Sequence, residues 1–465
     1  MIVAIALDLG STSIKAGLLD QHGNLSGIVS QPVPVVLGVG GRYESDASAY
    51  AEISQQVLAR CVKALPPAQA KILPPLGLCS QRSSFVIWDR ATGTPVTPLI
   101  SWQDNRGAQS CEELQAEEST ITELTGLRLT PYFFAPKLRT MLNEHPQWRE
   151  NLCSGVWMVG TLDTFLIWQW SAGDQHITDV SMAARTLLLD IHTQTWSTEL
   201  CRIFDIPMAI LPQIKASVGI NINLNNGLIL QASLGDQTAA LFASVGEQSN
   251  IALVNLGTGG FVIRYVAEVP KSSTGYLYTL AYQDAQLQSH FAIEGTLNSI
   301  AAALASYPVA ECKLSSFAQT ETLCIAEPSG IGAPYFRREI GLKFSQEVEA
   351  LSPEETACLL LEAIIFRVVR IVEEFHSAAP ISCVYLSGGL SELSSLQQGL
   401  ALCLPCDIFR LQQHESSLQG AAMLATGLKS QRVTEIEKIQ PAIINQALQQ
   451  KYLRWKDWLD GLLNA

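Results

Sequence analysis

The chain has 465 residues, 48% of them hydrophobic and only 16% charged, so it exceeds one ordinary core and extended disorder is excluded. Its net charge of −13 argues against sequence-independent binding to DNA, RNA or an anionic membrane, each of which takes basic patches. A phosphate site stays open, because backbone N–H groups and a metal ion can build one locally.

In chain order, Ile2–Asp8 is β-prone and apolar on both faces, as in a strand buried on both sides. Leu9–Ser13 is a Gly/Ser/Thr turn, and Ile14–Leu19 and Leu25–Val29 complete a β-meander around the turn Gln21–Asn24. Helical patterns cover Ala47–Ala64, Ala108–Leu124 and Thr161–Trp170, the last with Thr161 or Asp163 as its expected cap. Strands are expected at Leu76–Cys79 and Ser84–Asp89. The stretch Gly219–Leu230, poor in charge and rich in Asn, reads as a linker. Ile251–Leu256, Gly257–Gly260 and Phe261–Val266 then repeat the opening design of buried strand, glycine turn and strand. The repeat predicts two halves of like architecture, 1–230 and 231–465. Cys383–Leu390 is a strand running into a double-glycine turn, between helical runs at Pro353–Phe375 and Ser391–Leu402. In the helical tail Gln440–Leu463, Tyr452, Trp455 and Leu459 form a stripe that reads as core packing. The 11 cysteines are odd in number and scattered, as suits a reducing cytosol. Cys403-x-x-Cys406 stands without a second pair or a His cluster and reads as packing. The N-terminus meets Asp8 too early for a signal peptide, and no apolar run is long enough to span a bilayer. A cytoplasmic protein is expected, with a homo-oligomer left open.

A phosphoryl-transfer site needs backbone donors for phosphate, a metal carboxylate, a held acceptor hydroxyl and a base beside it. Asp8 ends a buried strand before Gly10-Ser11-Thr12-Ser13, small residues that let N–H groups approach a phosphate, with Lys15 following. A plain hairpin explains this segment equally well. Gly257-Thr258-Gly259 carries the same ambiguity, and Gly388-Gly389 makes a third such turn. Asp236 stands at the expected start of a helix, where an ordinary N-cap competes with a general base that the helix dipole keeps ionised. Arg82 and Trp102 suit a polyol, since a guanidinium donates to hydroxyls and an indole packs on the carbon chain; a surface ion pair and a core aromatic are the plainer readings.

Taken together, the segments Leu7–Asp20, Ser80–Arg106, Thr125–Leu142, Gly160–Trp170, Thr178–Trp196, Ser233–Ser244, Asn255–Phe261, Gly332–Phe336 and Ser417–Ala425 resemble the FGGY carbohydrate kinases nearly end to end, most closely the glycerol kinase branch. The resemblance implies an α/β fold of two actin/hexokinase/Hsp70-like (ribonuclease H-like) domains, each with a mixed five-stranded sheet, about an interdomain cleft. It implies transfer of the γ-phosphoryl group of ATP, with Mg²⁺, to a small polyol or sugar. By that resemblance Asp8 helps hold Mg²⁺; Gly10, Ser11, Thr12 and Lys15 meet the β- and γ-phosphates; and Gly257, Thr258, Gly388 and Gly389 grip the nucleotide from the other domain. Asp236 is the base, and Arg82, Trp102, Tyr132, Gln237 and Phe261 match the acceptor pocket.

Departures from that pattern set two expectations. Ser83 stands where glycerol kinases have Glu, removing a charged acceptor and freeing volume for a longer polyol or ketose. Leu393, Ala301 and Ala305 replace polar or smaller residues on the adenosine side, which bears on how tightly the nucleotide is held. Two further readings compete with an active kinase: a nucleotide- or polyol-binding regulator without turnover, and an actin- or Hsp70-like ATPase with a protein partner.

Overall fold

The computed structural model describes all residues except 39–40, 68, 70, 271–273, 348–350, 413–414, 429–435, 442–443 and 465. Strands β1 (Ile2–Leu9), β2 (Ser13–Asp20) and β3 (Leu25–Pro32) form the expected antiparallel meander. Helix α1 (Ala47–Lys63) follows, capped by the Asp46 side chain. Strand β4 (Leu76–Ser80) joins β1 in parallel, and β6 (Ile229–Gly235) joins β4 in parallel, with β5 (Val218–Asn223) antiparallel at the edge. The sheet order is β5-β6-β4-β1-β2-β3. Helix α2 (Asp236–Val245) then leads away.

The second sheet repeats this plan. Its strands are β7 (Ile251–Leu256), β8 (Gly260–Val266), β9 (Leu277–Gln283), β10 (Ser289–Leu297), β11 (Cys383–Ser387), β12 (Asp407–Leu411) and β13 (Ile436–Lys438), in the order β9-β10-β8-β7-β11-β12-β13. β8 is antiparallel to both β7 and β10 along the meander, β11 and β12 join in parallel, and β13 is antiparallel at the edge. Strand for strand this is the first sheet, with β9 added. Helix α3 (Pro353–Ala378) precedes β11 as α1 precedes β4; Ser352 and Glu355 close a capping box at its start and Pro353 fits the first turn. Helices α4 (Ser394–Cys403) and α6 (Gln446–Asn464) pack on it, and α5 (Ser416–Thr426) follows β12 as α2 follows β6.

The two faces of β1 explain its uninterrupted apolar run. Ile5, Leu7 and Leu9 enter one core with α1, whereas Ala4 and Ala6 face the other way, into a core shared by both sheets, α2 and α5. Residues on this second face are small because α5 lies close. A Cβ on Gly77 of β4 would stand 2.1 Å from the Ala421 carbonyl oxygen, and one on Gly420 of α5 would stand 1.9 Å from the Ala239 carbonyl oxygen of α2. The helices after the two last parallel strands therefore cross in contact, and the α5 backbone rests directly on the first sheet.

Several expectations need correction. The sheets have six and seven strands rather than five, because β5, β9 and β13 extend the edges. Residues 219–230 are no linker: β5 and β6 pair from Val218↔Ala232 to Asn223↔Ile229. The expected join at 230/231 falls inside β6, so the first sheet runs on to Gly235. The helix expected over Ala108–Leu124 is broken into Ala108–Glu113, a short 3₁₀ turn at Gln115–Glu117 and Glu118–Thr125. Thr161 occupies the cap position of Leu162–Trp170, but its side chain makes no cap bond. In the expected tail helix, residues 442–443 lie outside the described residues and the helix begins at Gln446. Tyr452, Trp455 and Leu459 are buried in the second core, as read from their spacing. Cys403 and Cys406 pack against the same core, and burial pushes their thiols up to about 12 and about 11, which makes them poor nucleophiles. Among the described residues no helix is long and apolar enough to cross a membrane.

Candidate active site

The candidate residues lie at the ends of the central strands of the two sheets. Where β1 turns into β2, Gly10 is required by close approach: a Cβ would meet the Ser13 carbonyl oxygen at 2.6 Å. Its own carbonyl accepts from Tyr50 Oη at 2.9 Å and Gln81 Nε2 at 3.2 Å, which fixes the turn and leaves Thr12 exposed. The equivalent turn between β7 and β8 is Gly257–Gly259, also with an exposed threonine, Thr258. At the end of β11, Gly388 has φ 91° and passes so close over β7 that a Cβ would lie 2.4 Å from the Leu256 carbonyl oxygen. A Cβ on the adjacent Gly389 would meet nothing within 4 Å. Three glycine-bearing turns thus expose backbone at corresponding strand ends of the two halves.

Asp8 lies in register between Lys15 on β2 and Cys79 on β4. Its Oδ2 accepts from Ser417 Oγ of α5 at 2.8 Å, and its Oδ1 is buried with no partner among the described residues. Burial, and then the charge of Asp236, push this carboxyl up to about 6. Lys15 is held by Glu415, just ahead of α5, at 2.6 Å. Both contacts tie the first turn to an element of the second half. The described residues contain no cluster of three or more His, Cys, Asp or Glu side chains suited to a metal ion. A cation here would therefore rest on few carboxylates and complete its shell with phosphate and water, as Mg²⁺ does. The unpartnered Asp8 Oδ1 and the mutual repulsion of two carboxylates fit such a cation.

Asp236 is the first residue of α2, as its sequence position suggests. Its Oδ1 accepts from the Gln237 backbone N–H at 2.7 Å, and the Arg82 Nε lies 3.9 Å away. The helix dipole expected to keep this group ionised is opposed by burial. Burial raises its pKa, and the Arg82 charge only partly opposes that, although 33% of the side chain remains open. A raised carboxylate is a stronger base than an ordinary one. Arg82 reaches Gln237 Oε1 through Nη2. Gly235 makes room for it, since a Cβ there would meet Arg82 Cδ at 2.7 Å. Burial and the neighbouring Arg185 bring Arg82 down to about 10, so it stays charged at neutral pH.

Ser83, at φ 66°, is buried, and its Oγ donates to the Arg185 carbonyl at 2.7 Å. Its hydroxyl hydrogen is committed to the backbone, a constraint that the sequence does not reveal. Ser84 Oγ links the Trp102 backbone N–H, at 2.9 Å, to Gln81 Oε1, at 2.8 Å, and so to Gly10. The rings of Trp102 and Tyr132 lie 6.2 Å apart and are 38% and 54% exposed, which makes them a rim and not a core pair. Lys137, wholly buried, donates to the Ser101 and Tyr132 carbonyls, both at 2.9 Å, and burial lowers its pKa to about 7. Phe261 lies opposite Thr296 in the β8–β10 ladder, on the same sheet face as Glu294, which pairs with Arg185 at 3.0 Å.

The structure thus brings Arg82, Asp236 and Gln237 into contact, turns Ser83 onto the Arg185 carbonyl, pairs Trp102 with Tyr132 at a rim and sets Phe261 on the sheet face that bears Glu294. It adds Arg185, Glu294, Lys137, Gln81 and Ser417, none of which sequence reasoning singled out. Arg185, Lys137, Gln81 and Ser417 lay inside recognised segments, but nothing in their neighbours' pattern aims a side chain at a partner far away in the chain.

Residues 3–250 match the N-terminal domain of the FGGY family of carbohydrate kinases and residues 252–427 match its C-terminal domain. The chain is 31% identical to an apulose kinase of Pectobacterium atrosepticum, over 98% of this chain and 97% of the relative. It is 29% identical to a glycerol kinase of Alkalilimnicola ehrlichii, over 98% and 97%. Among solved structures, a Plasmodium falciparum glycerol kinase with ADP superposes with a TM-score of 0.87 at 22% identity, covering 98% of each chain. A xylulose kinase from Rhodospirillum rubrum gives 0.81 at 18% identity, covering 99% of each. These last two likenesses bear on the fold.

Proposed function

The chain belongs to the FGGY family of carbohydrate kinases, and we propose that Asp236 is its general base and that the surrounding residues divide acceptor and nucleotide between the two halves. The protein is an ATP-dependent phosphotransferase acting on a hydroxyl of a small polyol or sugar. The single observation that best supports the assignment of roles is that Asp236 opens α2 with its Oδ1 3.9 Å from Arg82 Nε, while Asp8 keeps a buried carboxylate oxygen without a partner among the described residues. A binding protein without turnover has no chemical use for both a base beside the acceptor and a buried carboxylate, whose charge Asp236 disfavours, at the phosphate turn.

In this reading Arg82 and Gln237 donate to acceptor hydroxyls, Trp102 and Tyr132 cover its carbon chain, and Phe261 closes the far wall. Asp236 accepts the proton of the attacking hydroxyl as the bond to phosphorus forms. A loose transition state makes positioning the larger part of the task, which the Arg82–Gln237–Asp236 contacts perform. The N–H groups of Gly10, Ser11 and Thr12, with Lys15, meet the terminal phosphates from the first half, while Gly257, Thr258, Gly388 and Gly389 hold the nucleotide from the second. Asp8 is the carboxylate for Mg²⁺, which when bound offsets charge on the phosphate oxygens. The nucleotide's base would lie toward Leu393, Ala301 and Ala305, where apolar contact replaces polar pairing. We place the enzyme in the cytoplasm.

The test is acceptor-dependent ADP release by the purified protein over glycerol, tetritols, pentitols, ketopentoses and ketohexoses. ADP release above the ATP-only rate with at least one acceptor is expected. None with any, from a folded protein that binds ATP, would overturn the reading.

A further inference from the structure

We infer that Arg185 and Glu294 form a second acceptor-reading pair, which selects acceptors carrying adjacent oxygens remote from the transferred hydroxyl. The inference rests on the placement of the acceptor beside Asp236 and names which acceptors that site prefers.

Arg185 comes from the segment after Val180–Ala183, and Glu294 from β10, so the pair spans the two halves. Both side chains are more than nine-tenths buried. A buried pair of this kind normally satisfies every donor, because each unmade bond costs free energy. Here one bond is made, Arg185 Nη2 to Glu294 Oε2 at 3.0 Å, while Arg185 Nε is buried and has no partner among the described residues. The pair is also electrically part of the acceptor cluster. The Arg185 charge acts on both Arg82 and Asp236, and the Glu294 charge acts on Arg82. Nothing at position 83 satisfies the pair. The Ser83 side chain is short, and its hydroxyl is turned onto the Arg185 carbonyl.

A guanidinium N–H and a carboxylate side by side offer one donor and one acceptor. They match a vicinal diol or a hydroxyketone, whose first oxygen accepts from Arg185 Nε while its neighbouring hydroxyl donates to Glu294. A three-carbon polyol spends its hydroxyls at Asp236, Gln237 and Arg82. A four- to six-carbon sugar has oxygens left for the second pair. A carboxylate at position 83 would compete for Arg185, and its absence leaves the pair to the substrate.

The experiment compares kcat/KM for glycerol with that for ketotetroses, ketopentoses and ketohexoses, in wild type and in Arg185→Met. The expected result is a wild-type preference for a longer acceptor. Arg185→Met should lower the ratio of that acceptor to glycerol by tenfold or more, mainly through KM. Because Arg185→Met leaves Glu294 buried without its counter-ion, the double variant Arg185→Met/Glu294→Gln is measured beside it, with thermal unfolding to establish folding. Should both variants unfold, the wild type decides. A non-reacting deoxy acceptor that retains the remote diol should raise its Tm, and an analogue lacking the diol should not. An unchanged ratio in a folded variant, or equal Tm shifts from the two analogues, overturns the inference. Failure of all acceptors to release ADP would instead overturn the placement of the acceptor itself.

Discussion

Asp236→Asn separates turnover from folding. The substitution keeps the size of the side chain and the oxygen that accepts from the Gln237 N–H at 2.7 Å. It removes the charge facing Arg82 Nε at 3.9 Å, but Arg82 retains Gln237 Oε1. What the charge contributes to folding can be read from its titration. Burial raises the Asp236 pKa above the ordinary carboxylate value, so the folded protein disfavours the ionised form relative to the unfolded chain. At pH 7 an uncharged isostere therefore leaves Tm unchanged or higher. Turnover should move the opposite way. General-base contributions run to about 10²–10⁴-fold, which is about 2.7–5.4 kcal/mol of barrier at 1.36 kcal/mol per decade. The assays are coupled ADP release with the best acceptor and calorimetric unfolding in the same buffer. A variant that loses stability together with activity would make Asp236 a structural cap. One that keeps near-normal turnover would remove it from the chemistry.

Lys137→Met tests the support of the acceptor rim. Because burial lowers the lysine to about 7, the unfolded chain binds the extra proton from about pH 7 up to its ordinary value near 10.4, and stability from this group rises with pH across that window. The Tm advantage of wild type over the variant should therefore be larger at pH 9 than at pH 6.5, with KM for the acceptor raised in the variant; an advantage that shrinks with pH refutes the placement. Glu415→Gln should lower KM for ATP by about fivefold, since a pair still about a quarter exposed is worth on the order of 1 kcal/mol and Lys15 no longer has to leave it; a raised KM would show that Glu415 assists. Excess EDTA should abolish ADP release, and Asp8→Ala should depress kcat far more than acceptor affinity measured by calorimetry. Activity that persists in EDTA contradicts the metal role.

The sequence made the duplication legible because both halves open with a two-sided apolar strand and a glycine turn, features with a local cause. Asp8, Asp236 and the three turns were likewise visible, since each ends a strand or begins a helix. The edge strands were not. β5 alternates half-buried and exposed residues and carries two asparagines, so its pattern is that of a loop until β6 lies beside it. The break near Leu114 escaped notice because helix periodicity continues on either side of the short turn. Arg185 and Glu294 were hidden for another reason: 109 residues separate them, and a buried charge advertises its partner only in three dimensions. The raised pKa of Asp236 has the same origin, since the dipole is a local property and burial is not.

The position of α5 also bears on how the chain is made. The face of β1, β4 and β6 that carries Ala4, Ala6, Gly77 and Ala232 is closed by a helix starting roughly 180 residues after β6 ends. At the usual pace of synthesis, about 5–20 residues per second, that surface leaves the ribosome about 10–40 s before its cover exists. The first half consequently has no complete fold of its own at that stage and must wait beside the nascent second half. A chain ended at residue 250 should accumulate as aggregate, and co-expressing residues 251–465 as a separate chain should return it to solution. A soluble, cooperatively unfolding 1–250 fragment would show that the sheet tolerates the wait uncovered.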